Sequence, residues 1–101
     1  MRSSYKSNSF NDIFKSLCEL YKPKSILEIG ILDGYSLMSF VESVSEKTDI
    51  VAIDLFNLYE FKNSEKNEIE EKFKENKNVQ IFQGNFYDFY KKCGSFDLIH
   101  I

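Results

Sequence analysis

A chain of 101 residues with 43% hydrophobic and 29% charged residues has the composition of one small globular domain. Its formal net charge of −3 argues against a nucleic-acid-binding surface, which usually needs a basic patch. No apolar run approaches the roughly 18 residues of a membrane span, and the polar stretch 1–10 lacks the apolar core of a signal peptide. The two cysteines, Cys18 and Cys93, form neither a disulfide framework nor a CxxC pair, and both are expected to be buried thiols. Together these features favour a cytoplasmic protein without nucleic-acid or membrane partners.

The first half of the chain predicts a helix, a strand and a second helix. Ser9 begins a pattern that resembles a capping box, and apolar residues then recur at helical spacing until Pro23 ends the first helix. Ile26, Leu27 and Ile29 form a short apolar run, which is typical of a strand buried on both faces and predicts the first strand over 24–29. A second helix with a broad apolar face is expected over 34–45.

The second half continues the alternation of strands and helices. The β-branched run 49–53 predicts a second strand, and Asp54 ends it. The helix that follows has only two strong core anchors, Ile69 and Phe73, because its other positions are mostly Glu, Lys and Asn. The elements that complete the chain are this charged helix over 64–76, a third strand over 79–83, a short helix that begins at Asn85, and a fourth strand over 96–101.

This order of elements predicts the fold class. Strands that alternate with helices at this spacing form βαβ units, which build a parallel sheet with right-handed crossovers. We therefore predict a single doubly wound α/β domain over residues 1–101, with an N-terminal helical region at 1–22 and a β/α core at 24–101. In such sheets a ligand binds at the carboxyl ends of the strands, so the polar residues that follow the strands are the candidate site.

The clearest motif lies at the end of the first strand and reads Glu28-x-Gly30-x-x-x-Gly34, with Ser36 two residues later. Glu28 is a charge within an apolar run, which a buried strand normally excludes. Gly30 allows the backbone to approach a ligand without a Cβ, and free N–H groups at the start of the next helix can hold a carboxylate. This pattern resembles the first motif of class I S-adenosylmethionine-dependent methyltransferases, and most closely that of their small-molecule O-methyltransferase branch.

The resemblance implies a Rossmann-like doubly wound sheet with strand order 3-2-1-4, S-adenosylmethionine as the cofactor and a small molecule as the methyl acceptor. Glu28 would then accept a hydrogen bond from the ammonium group, and Ser36 would add a hydroxyl. Asp54 would accept both ribose hydroxyls, and Leu55 and Phe56 would pack against the adenine. The structural alternatives are turn glycines, a first-turn helix serine, a strand-end turn aspartate and core packing.

Two further positions are candidate site residues, and for each a structural role fits as well as a functional one. Asn85 follows the third strand, where the family usually has an Asp that binds the adenine amino group. Its amide oxygen can still accept that bond, but a plain helix N-cap fits equally well. His100 is the only histidine, in the run Asp-Leu-Ile-His-Ile that resembles the fourth strand of the same branch. It is either a candidate catalytic residue or a packed histidine.

The resemblance covers residues 24–101, which correspond to the front half of a family domain. The chain is therefore expected to be a fragment that is inactive alone. Its fourth strand is expected to be an exposed apolar edge through which copies of the chain associate. No metal ligands are expected within the chain, and a divalent metal, if there is one, is expected to be bound by residues after Ile101.

Other functions remain open at this point. A nicotinamide-dependent oxidoreductase would use the same fold, but its phosphate-binding turn needs the pattern G-x-G-x-x-G, and position 32 is Leu. A ligand without phosphates suits this turn better. A hydroxylase-type relative and a non-catalytic α/β binding module are the remaining alternatives.

Overall fold

The computed structural model describes residues 10–58 and 65–101. Within these ranges, helices and strands alternate along the chain, and no helix has the length and apolar character needed to cross a membrane. The helices are α1 (Asn11–Tyr21), α2 (Tyr35–Ser43), α3 (Lys66–Lys72) and α4 (Phe86–Phe89), and a short 3₁₀ helix spans Phe56–Leu58. The strands are β1 (Ser25–Ile29), β2 (Asp49–Asp54), β3 (Val79–Gln83) and β4 (Leu98–His100).

The four strands form one parallel sheet in the order β3-β2-β1-β4. In the centre of the sheet, Glu28 of β1 is level with Ala52 of β2 on one side and with His100 of β4 on the other. The chain winds outward from β1 to β3 and then crosses to the other side of β1, which is the switch in direction that opens a crevice in doubly wound sheets. The predicted fold class and strand order are confirmed.

Helices cover both faces of the sheet. α1, α2 and α3 share one core with the strands, and in it the Phe14 and Phe40 rings lie 4.9 Å apart. Ile81 packs against this core, so the next residue, Phe82, points to the opposite face. There its ring lies 5.4 Å from Phe89 of α4. This arrangement is the doubly wound architecture that the sequence predicts.

Some boundaries differ from the predicted ones. α3 ends at Lys72, before the predicted end at 76, because Phe73 turns into the core and a turn leads from there to β3. Cys93 lies beyond α4 and is only half-buried, so the prediction that both thiols are buried holds for Cys18 alone. The predicted cap at Ser9 and the predicted start of the charged helix at residue 64 lie outside the described residues.

Candidate functional site

A cavity of about 430 Å³ opens at the carboxyl edge of the sheet. Its lining is mostly apolar with a few polar groups, which is the usual character of a small-molecule site. The lining comes from the ends of β1 and β2 and from residues that follow each of the four strands: Ile29, Gly30, Ile53, Asp54, Leu55, Gly84, Asn85, Phe86, Tyr87 and Ile101.

The two glycines of the first motif have the same backbone conformation but different surroundings. Gly30 has φ +87° and Gly34 has φ +86°, which is a region that side chains rarely adopt. A Cβ on Gly30 would meet no atom within 4 Å, so bare backbone faces the open cavity there. A Cβ on Gly34 would lie 3.2 Å from the Phe73 ring, so Gly34 faces the core.

Asp54 connects the turn after β1 with the turn after β2. Its Oδ2 accepts a hydrogen bond from the Ile31 N–H at 2.7 Å, and its Oδ1 accepts one from the Phe56 N–H at 2.7 Å. The side chain is buried, yet the residue also lines the cavity. Because each carboxylate oxygen has a second lone pair, Asp54 can still accept a hydrogen bond from a ligand hydroxyl.

Leu55 and Phe56 are neighbours in sequence but face different parts of the molecule. Leu55 is half-buried and lines the cavity. Phe56 has φ +51°, which turns its side chain into the core, where it is 1% exposed. Of the two residues that the sequence analysis places against adenine, only Leu55 reaches the cavity.

Asn85 lines the cavity and also caps α4. Its Oδ1 accepts a hydrogen bond from the Tyr87 N–H at 2.9 Å, as the N-cap alternative predicts. Sequence reasoning missed Phe86 and Tyr87, which also line the cavity. Tyr87 is 82% exposed there. The sequence contained a signal for them. Phe86 and Tyr87 directly follow Asn85, the predicted N-cap after the third strand, and residues in that place begin their helix at the carboxyl edge of the sheet.

Glu28, Ser36 and His100 form a hydrogen-bonded group behind the cavity. The Ser36 hydroxyl donates to Oε1 of Glu28, and Nδ1 of His100 lies 3.1 Å from Oε2. Glu28 is 0% exposed, and none of the three residues lines the cavity. A buried carboxylate is costly unless it is hydrogen-bonded, and here each of its oxygens has a partner.

The remaining groups that could carry chemistry do not converge on the cavity. In the part of the chain that the structure describes, no three His, Cys, Asp or Glu side chains are placed to hold a metal ion. Burial raises the pKa of the Cys18 thiol, which keeps it protonated and unreactive. Asp97 lies at the opposite edge of the sheet, where its Oδ2 accepts a hydrogen bond from the Lys24 N–H at 2.7 Å.

A comparison with protein families identifies the chain. All of it, residues 1–101, matches the family model described as O-methyltransferase. The chain belongs to the O-methyltransferase family. No curated protein matches it significantly.

Solved methyltransferases share the fold of this O-methyltransferase family member. The O-methyltransferase from Bacillus cereus, in complex with S-adenosylhomocysteine (SAH), has a TM-score of 0.71 and 21% identity over 98% of this chain. The O-methyltransferase TomG from Streptomyces achromogenes, in complex with S-adenosylmethionine (SAM), has a TM-score of 0.72 and 19% identity over 98% of this chain. The SAH-bound methyltransferase from Podospora anserina has a TM-score of 0.72 and 26% identity over 98% of this chain. The chain spans only 44%, 44% and 40% of these three proteins, respectively.

The structure divides the predicted site of this O-methyltransferase family member into two groups. The assignment of any of these residues to a ligand stays a prediction. Those that line the cavity are Gly30, Asp54, Leu55 and Asn85, and those that lie behind it are Glu28, Gly34, Ser36, Phe56 and His100.

Proposed function

We propose that the chain binds S-adenosylmethionine in this cavity and is the cofactor-binding part of an enzyme that methylates a hydroxyl group of a small molecule. One observation carries the proposal. In a chain of the O-methyltransferase family, the bare backbone at Gly30 and the carboxylate of Asp54 adjoin one mostly apolar cavity at the carboxyl ends of β1 and β2. Structures of the same fold that contain SAM or SAH support it.

The cavity suits the separate parts of this cofactor. Ile53 and Leu55 offer apolar surface to the purine, and Asp54 offers acceptors to the ribose hydroxyls. Gly30 leaves room for the ligand to approach the backbone. The lining residues that the structure describes include no Lys or Arg, so a positive sulfonium meets no like charge there.

The proposed reaction is a direct displacement. An oxygen lone pair of the acceptor attacks the methyl carbon, the carbon–sulfur bond breaks, and its electron pair stays on sulfur to give SAH. The acceptor hydroxyl transfers its proton to water, so the products are SAH, the methyl ether and a hydrated proton. The contribution of this chain would be to hold the cofactor in position for in-line attack, which is a proximity effect.

The nicotinamide alternative receives no support from the first turn. Leu32 occupies the position where the pyrophosphate-binding motif needs its second glycine, and it has φ +54°. The dinucleotide motif has a glycine at this position because a pyrophosphate must approach the backbone closely, and a leucine does not meet that requirement.

Localisation and self-association also stay proposals. A cytoplasmic location is supported by the two cysteines, neither of which is in a disulfide. Association of copies through β4 is supported by Ile99, which is 54% exposed on that edge strand.

Calorimetric titration of SAM, SAH and NAD into the full chain tests the proposed function. We expect SAM and SAH to bind and NAD not to bind. Asp54→Asn should weaken SAH binding by about ten- to a hundredfold, because a hydrogen bond to a charged acceptor contributes roughly 1.5–3 kcal/mol.

Asp97→Asn is the matched control for this experiment. Asp97 also accepts a backbone N–H bond, but at the opposite edge of the sheet, so this variant should bind SAH as the parent does. Equal losses in both variants would show a general effect on folding and contradict the assignment of Asp54. Binding of NAD in place of SAM, or of neither, would overturn the proposed function.

A further inference from the structure

The group formed by Glu28, Ser36 and His100 joins three elements of the fold. Glu28 lies on β1, Ser36 in the first turn of α2, and His100 on β4. The sheet register places Glu28 and His100 side by side, although they are 72 residues apart in the chain. The group therefore connects the edge strand β4 to the turn that follows β1.

Aromatic rings surround the imidazole of His100. The Phe14 ring centroid lies 5.2 Å away, and the Phe40 ring centroid lies 5.6 Å away; both contacts are edge-to-face. These rings belong to the core and restrict rotation of the imidazole. Nδ1 is thereby held toward Glu28.

The tautomer of His100 depends on the charge of Glu28. An ionised carboxylate only accepts hydrogen bonds, so beside an ionised Glu28 the Nδ1 atom of His100 carries the hydrogen of this contact. The Ser36 hydroxyl donates to the other oxygen of Glu28. Both oxygens of the buried carboxylate are thus paired, and loss of either donor would leave one of them unsatisfied.

We propose that His100 is a positioning residue for the cofactor turn. By donating from Nδ1 to Glu28, it fixes the carboxylate that holds Ser36. Ser36 in turn fixes the start of α2 and the conformation of the turn 30–36, whose Gly30 faces the cavity. Glu28 and His100 act on this turn through Ser36 and the backbone. The inference rests on the proposed function only for the identity of the ligand.

A matched pair of variants separates the hydrogen bond from the packing. His100→Asn keeps an amide N–H near the place of Nδ1 but removes the ring. His100→Phe keeps a ring between Phe14 and Phe40 but removes the hydrogen bond. We expect His100→Phe to weaken SAH binding by about tenfold, as the loss of a charge-assisted hydrogen bond implies, and His100→Asn to weaken it less than threefold. A purely structural role would give the reverse order, because the phenylalanine preserves the packing.

Ser36→Ala extends the test to the other donor. If both donors act through Glu28, the double variant Ser36→Ala/His100→Phe should lose about as much affinity as the larger single loss, and not the product of the two losses. Independent losses that multiply would overturn the proposal. So would SAH binding by His100→Phe that equals the parent's.

Nuclear magnetic resonance tests the inference without a ligand. His100 is the only histidine, so histidine-selective ¹⁵N labelling of the full chain reports a single imidazole. We expect a hydrogen on Nδ1, and a change of the Nδ1 resonance in Glu28→Gln. An Nδ1 without a hydrogen would overturn the inference.

Glycine-selective labelling reports the turn itself. The amide resonances of Gly30 and Gly34 should shift in His100→Phe and return toward the parent values in His100→Asn, while those of Gly84 and Gly94 should stay in place. A ring-current effect would give the opposite pattern, because only the asparagine variant loses a ring. If Gly30 and Gly34 shift in His100→Phe as expected but the parent chain does not bind SAH, the inference is supported and the proposed function is contradicted. If the parent chain binds SAH but Gly30 and Gly34 do not shift in His100→Phe, the proposed function is supported and the inference is contradicted.

Discussion

The wall of the cavity and the layer directly behind it are built from residues that are close in sequence. Those of the wall face the open cavity, and those of the layer behind it face the core. The cavity wall, defined by Gly30, Asp54, Leu55 and Asn85, borders open space. The inner layer, defined by Glu28, Gly34, Ser36 and Phe56, is buried against the core or within the hydrogen-bonded group. Substitutions in the cavity wall should therefore change ligand binding directly, whereas substitutions in the inner layer should lower stability and change ligand binding only through the structure that supports the wall.

The largest contrast is expected between Leu55 and Phe56. Phe56→Ala should lower the free energy of unfolding by about 3–5 kcal/mol, because it removes a fully buried aromatic side chain from the core. Leu55→Ala should lower it by about 1 kcal/mol and should weaken SAM binding several-fold, because the half-buried leucine borders the cavity. Urea denaturation and calorimetric titration measure the two effects.

The result that would break this contrast is also clear. If Phe56→Ala folded with nearly unchanged stability but lost SAM binding, Phe56 would contact the ligand and the boundary between the two layers would be misplaced. Ile50→Ala serves as the control, since Ile50 is buried in the same core but does not line the cavity.

The two glycines of the first motif should give a smaller contrast. Alanine at either position adopts a left-handed conformation that costs about 1–2 kcal/mol. Gly34→Ala should cost about 1–3 kcal/mol more, because its Cβ would press on the Phe73 ring. Gly30→Ala should instead weaken SAM binding, because its Cβ would enter the cavity. Thermal denaturation with and without SAM separates the two.

Equal losses of stability in both variants would contradict this interpretation. The variant pair Gly34→Ala and Gly34→Ala/Phe73→Leu adds a check on the cause. The smaller leucine should restore part of the stability lost in Gly34→Ala, if contact with the Phe73 ring is what destabilises that variant.

Much of the fold could be predicted because its signals are local. The strand at 79–83 has the bounds that the sequence predicts, since its apolar run lies between Asn78 and Gly84. Alternating strands and helices give a parallel sheet, and a parallel sheet places its strand ends at one edge. The strand order came from the family resemblance, because local patterns do not specify which strands are neighbours.

The division into two layers could not be predicted, because it depends on the turns. Leu32 and Phe56 have positive φ without being glycine, and this conformation turns Phe56 away from Leu55. Nothing in the residue types signals it. The contact between His100 and Glu28 depends on sheet register between distant segments, which no local pattern contains. The sequence therefore indicated which residues follow the strands, but not which of them face the cavity.

The smallest effect is expected at Asn85, which belongs to the cavity wall and also caps α4. Asn85→Ala should lower the free energy of unfolding by about 1 kcal/mol, because it removes the cap. Asn85→Asp should keep that stability, since a carboxylate oxygen can accept the Tyr87 N–H equally well. Urea denaturation of both variants measures the cap alone.

SAM titration of the same two variants then shows whether Asn85 belongs to the cavity wall in function as well as in position. Asn85→Asp retains acceptors but loses the amide N–H donor. If the side chain accepts a hydrogen bond from the adenine amino group, the aspartate should bind SAM at least as well as the parent, and the alanine should bind several-fold more weakly. If the aspartate binds as weakly as the alanine, the ligand needs the amide donor. If neither variant changes the affinity, Asn85 acts only as a helix cap, and the cavity wall that contacts the ligand ends at Leu55.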